Sequence, residues 1–195
     1  MDNDTQLDIA IANGHIMDNA PVYRSGTTYA QRNLLFRNTV SKRFTEIGRG
    51  AGDGFALEKV SRALATGDID NDGDLDLLVT NNGQTADLLR NDGGNRSNAL
   101  LVRTIGTQSN RDGIGARIRL TTGTRTQMRD VKAGSSYLGQ NDLRLHFGLG
   151  DAALVGRVEV TWPSGRVDLV SGVKANHIVT IQEGRGIVSH VPFAR

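Results

Sequence analysis

The chain has no cysteine. That excludes disulfides, thiolate metal centres and cysteine nucleophiles. No apolar run reaches about 18 residues, so no transmembrane helix is predicted. The start, Met1-Asp2-Asn3-Asp4, is acidic and polar and reads as no signal peptide. Aromatic residues are sparse at 5%, and the four histidines are scattered at positions 15, 146, 177 and 190. No nucleophile elbow, phosphate-binding loop or two-histidine zinc motif occurs. Outside one aspartate-rich loop, no carboxylate pair stands out for acid/base work. The expectation is a protein that is not an enzyme.

What is present is glycine, 24 residues of 195, together with short strand-like runs. Many strands joined by tight turns are the implication. The net charge of +2 hides an asymmetry. Residues 1–96 carry 10 Lys/Arg against 14 Asp/Glu, and residues 97–195 carry 13 against 7. The sign changes at a polar, turn-rich stretch, Asn91-Asp92-Gly93-Gly94-Asn95-Arg96-Ser97-Asn98, where a domain boundary is expected.

The densest chemistry lies in Asp68-Ile69-Asp70-Asn71-Asp72-Gly73-Asp74-Leu75-Asp76. Carboxylates at alternate positions in so short a loop repel one another unless a cation sits among them. Hard oxygen donors on a flexible loop suit calcium. The expected ligands are the side chains of Asp68, Asp70, Asp72 and Asp76 and the backbone carbonyl of Asp74, with Gly73 supplying the turn. An EF-hand would need a glutamate at the twelfth position, which is Val79 here. The run Leu75 to Val79 also reads as a buried strand entering a turn at Asn81-Asn82-Gly83. The bland alternative is a solvated Asp/Gly turn.

A shift of 68 residues exposes a repeat. Asp2-Asn3-Asp4-Thr5-Gln6-Leu7-Asp8 aligns with Asp70 to Asp76, and the strand after it aligns too. Leu34-Leu35-Phe36-Arg37-Asn38 then matches Asp87-Leu88-Leu89-Arg90-Asn91 at a shift of 53. About 15 extra residues near His15 to Gln31 read as an exposed loop. In the first copy, Asp2, Asp4 and Asp8 remain as candidate ligands, with Gln6 at the carbonyl position. Thr5 replaces the glycine, which strains the turn, and the leading carboxylate would lie before Met1. The chain therefore reads as part of a longer repeat array.

The pattern G-D-I-D-N-D-G-D-L-D-L-L-V-T-N-N-G followed by L-L-R-N resembles FG-GAP/VCBS repeats. That resemblance implies β-propeller blades, here one to two of them, with calcium held in the aspartate-rich loop. Residues 98–184 alternate with period two, as in Ala116-Arg117-Ile118-Arg119-Leu120 and Val158, Val160, Trp162, with turns between. Four segments in this half resemble the ASPIC/UnbV domain: Ser109 to Arg117, Ala133 to Gln140, His146 to Gly150 and Val160 to Gly165. The order of the two parts is similar to that in bacterial members of the cartilage acidic protein family.

The expected fold is all-β: a partial propeller over 1–96, an antiparallel β-sandwich or barrel over 97–186, and a tail over 187–195. Trp162 and His146 are expected in packing roles, and Asn110 to Gly113 as an Asx-type turn. Tyr137 and Gln140 are the candidate recognition residues of a loop. Arg117, Arg119, Arg125 and Arg129 are a candidate cationic stripe for polyanions, or for docking on the acidic half. The leading functional expectation is a calcium-binding, secreted, periplasmic or surface-exposed interaction module with a protein or glycan partner. It is preferred over nucleic-acid binding and over a catalytic or accessory role of the UnbV type.

Overall fold

The structure, a computed structural model, describes residues 1–23, 26–39, 41 and 43–194. It is almost entirely β. The first half comprises β1 (Ile9–Ile11), a single helical turn α1 (Ala20–Tyr23), β2 (Gln31–Arg32), β3 (Leu34–Asn38), β4 (Phe44–Glu46), β5 (Glu58–Lys59), β6 (Ser61–Gly67), β7 (Asp76–Asn81) and β8 (Gln84–Leu89). Strands β1-β3-β4 form one antiparallel sheet and β6-β7-β8 a second. Each is an open blade. Leu35 and Ala10 from the first pack with Leu64, Leu77 and Leu89 of the second around Phe55. The segment expected as an exposed loop is partly ordered: His15 N donates to Tyr29 O, and Ala20 is buried.

The second half continues with β9 (Asn98–Ile105), β10 (Arg117–Thr122), β11 (Arg125–Asp130), β12 (Leu145–Gly150), β13 (Leu154–Thr161), β14 (Val167–Lys174), β15 (His177–Gln182) and β16 (Gly186–Pro192). Two four-stranded sheets, β11-β10-β13-β14 and β12-β9-β15-β16, face each other. Leu100, Val102, Ile118, Leu120, Phe147, Val158, Val160, Trp162, Val179 and Ile181 fill the space between them, as their period-two spacing requires. Trp162 is buried, and its indole N–H donates to Asp168 (2.8 Å).

Two expectations are corrected. Residues 186–192 are a strand paired along β15, so most of the supposed tail belongs to the sandwich. Within that otherwise antiparallel sandwich, β9 pairs with β15 in parallel. The arginine stripe does not exist. The β10–β11 register sets Arg117 opposite Asp130, Ile118 opposite Arg129 and Thr122 opposite Arg125. Opposed residues share a face, so Arg125 and Arg129 lie on the other face from Arg117 and Arg119. Arg117 pairs with Asp130 and Arg119 with Glu159, while Arg129 stacks over the Phe147 ring at 5.5 Å.

Strand β9 is buried on both faces. Leu100 and Val102 face the sandwich core, while Ala99 and Leu101 pack outward with Ile178 and Phe193. The outer face of its sheet is therefore covered, and what covers it is the pair of aspartate-rich loops.

Candidate metal centre

The loop between β6 and β7 brings carboxylate oxygens of Asp68, Asp70 and Asp76 within 4.8 Å of one another. Asp68 and Asp76 are buried and Asp70 is exposed. Backbone amides aim these groups. Asp68 accepts from Asp72 N (3.2 Å) and Gly73 N (3.0 Å), and Asp76 accepts from Ile69 N (2.9 Å) and Asn91 N (2.8 Å). Asp72 lies outside that trio. Its oxygens accept from Asp74 N (3.0 Å) and Asn95 Nδ2 (2.7 Å). Asn71 and Gly73 both have positive φ, +61° and +97°. At Gly73 a side chain is also excluded by contact, since a Cβ there would lie 2.3 Å from the Phe193 ring.

Burial raises the pKa of Asp68, against the pull of the Gly73 amide and of Arg144. Asp74 is pushed up to about 7, first by burial and then by Asp72. Its side chain was not anticipated from sequence, where only its carbonyl was assigned. One oxygen accepts from Gly94 N (3.0 Å), and the other is buried with no hydrogen-bond partner. Three like charges so close, partly desolvated and held by amides, form a donor set that a hard divalent cation would relieve.

The first loop repeats the turn conformation of the second and three of its hydrogen bonds. Asn3 and Thr5 take positive φ, +57° and +77°, at the positions equivalent to Asn71 and Gly73. Gln6 N donates to Asp4 as Asp74 N does to Asp72. Asn38 N donates to Asp8 (2.9 Å) as Asn91 N does to Asp76. The Met1 amine sits on Asp8 where Ile69 N sits on Asp76. Asp2, however, is drawn to Arg37 (2.6 Å). Among the described residues, Asp2, Asp4 and Asp8 form no trio like that of the second loop.

Both loops seat on the sandwich. Arg144 donates to Asp68 O (2.6 Å) and Asn71 Oδ1 (2.5 Å). The His146 ring nitrogen lies 3.1 Å from Gly73 O, and burial lowers its pKa to about 4, so it donates there as the neutral ring. Ala194 N donates to Asn71 O (2.7 Å), and Gly150 N to Asn3 O (2.8 Å). The close approach at Gly148 admits no side chain, because a Cβ would stand 2.9 Å from Asn3 Cα. Asn3 Nδ2 joins the loops by donating to Gly73 O (2.9 Å).

The remaining motifs fall into place around this joint. Leu64 N donates to Ser136 Oγ (3.3 Å) and Thr66 N to Asn141 Oδ1 (3.0 Å), so the 133–142 loop covers the edge of β6. Tyr137 and Gln140 stay exposed. The expected Asx-type turn is instead a backbone turn, Gly113 N donating to Asn110 O (2.9 Å), with the Asn110 amide reaching four residues on to bond both Ile114 N (2.8 Å) and Ile114 O (2.6 Å). Glu183, read from sequence only as part of a turn, is buried. It accepts from the amides of Thr107, Gln108 and Ser109 (each 2.8 Å) and from the Ser109 and Ser164 hydroxyls. Burial alone would raise its pKa; these donors hold it at about 2.

Comparison with known families agrees with this layout. Residues 61–100 match the FG-GAP repeat, and residues 106–188 match the model described as ASPIC and UnbV. The chain carries an FG-GAP repeat followed by an ASPIC/UnbV domain. It is similar to cartilage acidic protein 1 of Mus musculus, 32% identical over 172 residues, and to that of Homo sapiens, 32% identical over 173. Each alignment covers 85% of this chain, which spans about a quarter of the length of these curated relatives. The four segments that carry the ASPIC/UnbV resemblance have distinct tasks. Ser109 to Arg117 and Val160 to Gly165 each supply a serine hydroxyl to Glu183. Ala133 to Gln140 and His146 to Gly150 reach the blades.

Proposed function

We propose that this chain is a calcium-dependent extracellular interaction module in which the ASPIC/UnbV sandwich caps calcium-loaded FG-GAP blades. The observation that carries the reading is the convergence of the Asp68, Asp70 and Asp76 carboxylates within 4.8 Å in a loop clamped by the sandwich. In this reading Asp72 joins them as a further carboxylate donor, and Asp74 contributes its backbone carbonyl. Calcium supplies charge neutralisation and fixes the loop geometry. The chain's own residues do the rest: Arg144, His146 and Phe193 hold the loop against β9 and β12, so the ordered loop sets how the sandwich sits. The first loop, with Asp2, Asp4, Asp8 and Gln6, is the weaker site, since Arg37 competes for Asp2. The FG-GAP match and the similarity to a protein named for cartilage support a partner outside the cell, a protein or a glycan. Residues 1–96 and 97–192 act as the two parts of this joint.

Calorimetric titration tests the reading. Calcium should bind with one dominant site per chain, and Asp70→Ala or Asp76→Asn should abolish it. Heat from magnesium equal to that from calcium, or titration unchanged in both variants, would remove the site.

A further inference from the structure

The last two strands meet at a pair of histidines that the metal centre does not use. The rings of His177 (β15) and His190 (β16) stack with centroids 3.9 Å apart and planes 2° from parallel. His177 Nδ1 lies 2.7 Å from Ala175 O and donates to it, which fixes that ring's orientation. Strand β16 is the edge of its sheet, bonded to β15 along one side. Just beyond it, Phe193 N donates to Asn176 O (3.0 Å), the Phe193 ring lies against Gly73, and Ala194 N reaches Asn71 O. The end of β16 is thus a strap across the second aspartate-rich loop, and the histidine pair sits at its root.

We propose that the His177–His190 stack is an acid-sensitive latch: the stacked rings hold the end of β16 over the loop, and protonation of His190 releases it. Two imidazolium rings at this spacing repel, and Lys174 of β14 adds a third positive charge to the same environment. Among the described residues no carboxylate pairs with either ring. Burial, then His177, then Lys174 hold His190 below the ordinary histidine value. Released, His190 would take up its proton near the ordinary value of about 6.5. The docked state therefore binds fewer protons, and docking weakens as pH falls below about 6.5 while staying constant above it. His146, neutral down to about 4, is not part of the latch. The inference concerns strand docking and holds whether or not the loop binds calcium.

Hydrogen exchange on the intact chain in excess calcium chloride, corrected for intrinsic rates, tests it. Protection of amides in 186–194 should fall at least tenfold between pH 7.5 and 5, while β13 amides stay protected. His190→Gln, which cannot charge, should lose less than half as much on a logarithmic scale. Equal loss in wild type and His190→Gln, or no loss in wild type, would overturn the latch. Ring-proton titration of the unsubstituted chain by NMR gives a second reading. A His190 step displaced below the ordinary histidine value supports the latch; a His190 step at the ordinary value contradicts it.

Discussion

Single buried residues hold the loops of this protein in place. Glu183 is the clearest case outside the aspartate-rich loops, for its carboxylate accepts from three adjacent amides. Glu183→Ala should destabilise the sandwich by about 3 kcal/mol, since each stranded buried donor costs about 1–3 kcal/mol. A lowering of Tm by roughly 6–12 °C in calorimetry is the expected reading at about 2–4 °C per kcal/mol. The pH dependence has a definite sign. The folded pKa near 2 lies below the ordinary 4.5, so this stability is present above about pH 4.5 and is lost as pH falls towards 2. Glu183→Gln should flatten the acid limb of Tm against pH in that window; an unchanged limb would assign acid unfolding to other groups. Gly73→Ala is the second case. It forces positive φ on alanine and drives a methyl into Phe193, costing about 1–2 kcal/mol for the backbone and about 1–3 kcal/mol for the overlap. In a Phe193→Ala background only the backbone part should remain, which a double-mutant cycle on chemical denaturation measures.

At the scale of elements, local pattern and long-range contact separate cleanly. The strands flanking the loop, the duplicated loop and the alternating strands of the sandwich were legible in the sequence. A strand advertises itself by period-two spacing, and an aspartate loop by its own few residues. Thr5 in a left-handed conformation was likewise foreseeable from the alignment with Gly73. The arginine stripe failed because parity along one strand says nothing about parity across a hairpin, which the turn at Gly123-Thr124 sets. Strand β16 was missed because its alternation is weak: Ile187, Val188 and Val191 are all partly exposed on an edge. Arg144, Phe193 and the Asp74 side chain left no local signature, since each acts on residues distant in sequence. Asn91 was within reach, because the Arg-Asn pair recurs after both copies. One prediction belongs here. Replacing both Ser136 and Asn141 by alanine removes the side-chain acceptors for Leu64 N and Thr66 N. Exchange at those two amides should rise at least tenfold, with β7 unaffected.

For the whole molecule, the contacts of Arg144 and His146 with the second loop join the two modules. The charge asymmetry between halves is used at a few points, chiefly Arg144 on the loop carbonyl of Asp68, and not through a broad basic face. Arg144→Met should leave each core intact while weakening their coupling. The single tryptophan, Trp162, lies deep in the sandwich, so its fluorescence reports that module and not the blades. With calcium at the blade loop as proposed, whatever is coupled to the folded loop is stabilised by an amount set by concentration over Kd. The most direct test of the central claim is a thermal melt followed by Trp162 fluorescence, in excess calcium and in chelator, for the wild type, Asp70→Ala and Arg144→Met. The account predicts that calcium raises the Trp162 transition by several degrees in the wild type, not at all in Asp70→Ala, and by a reduced amount in Arg144→Met. A Trp162 transition that ignores calcium in the wild type, or responds equally in Asp70→Ala, would contradict it.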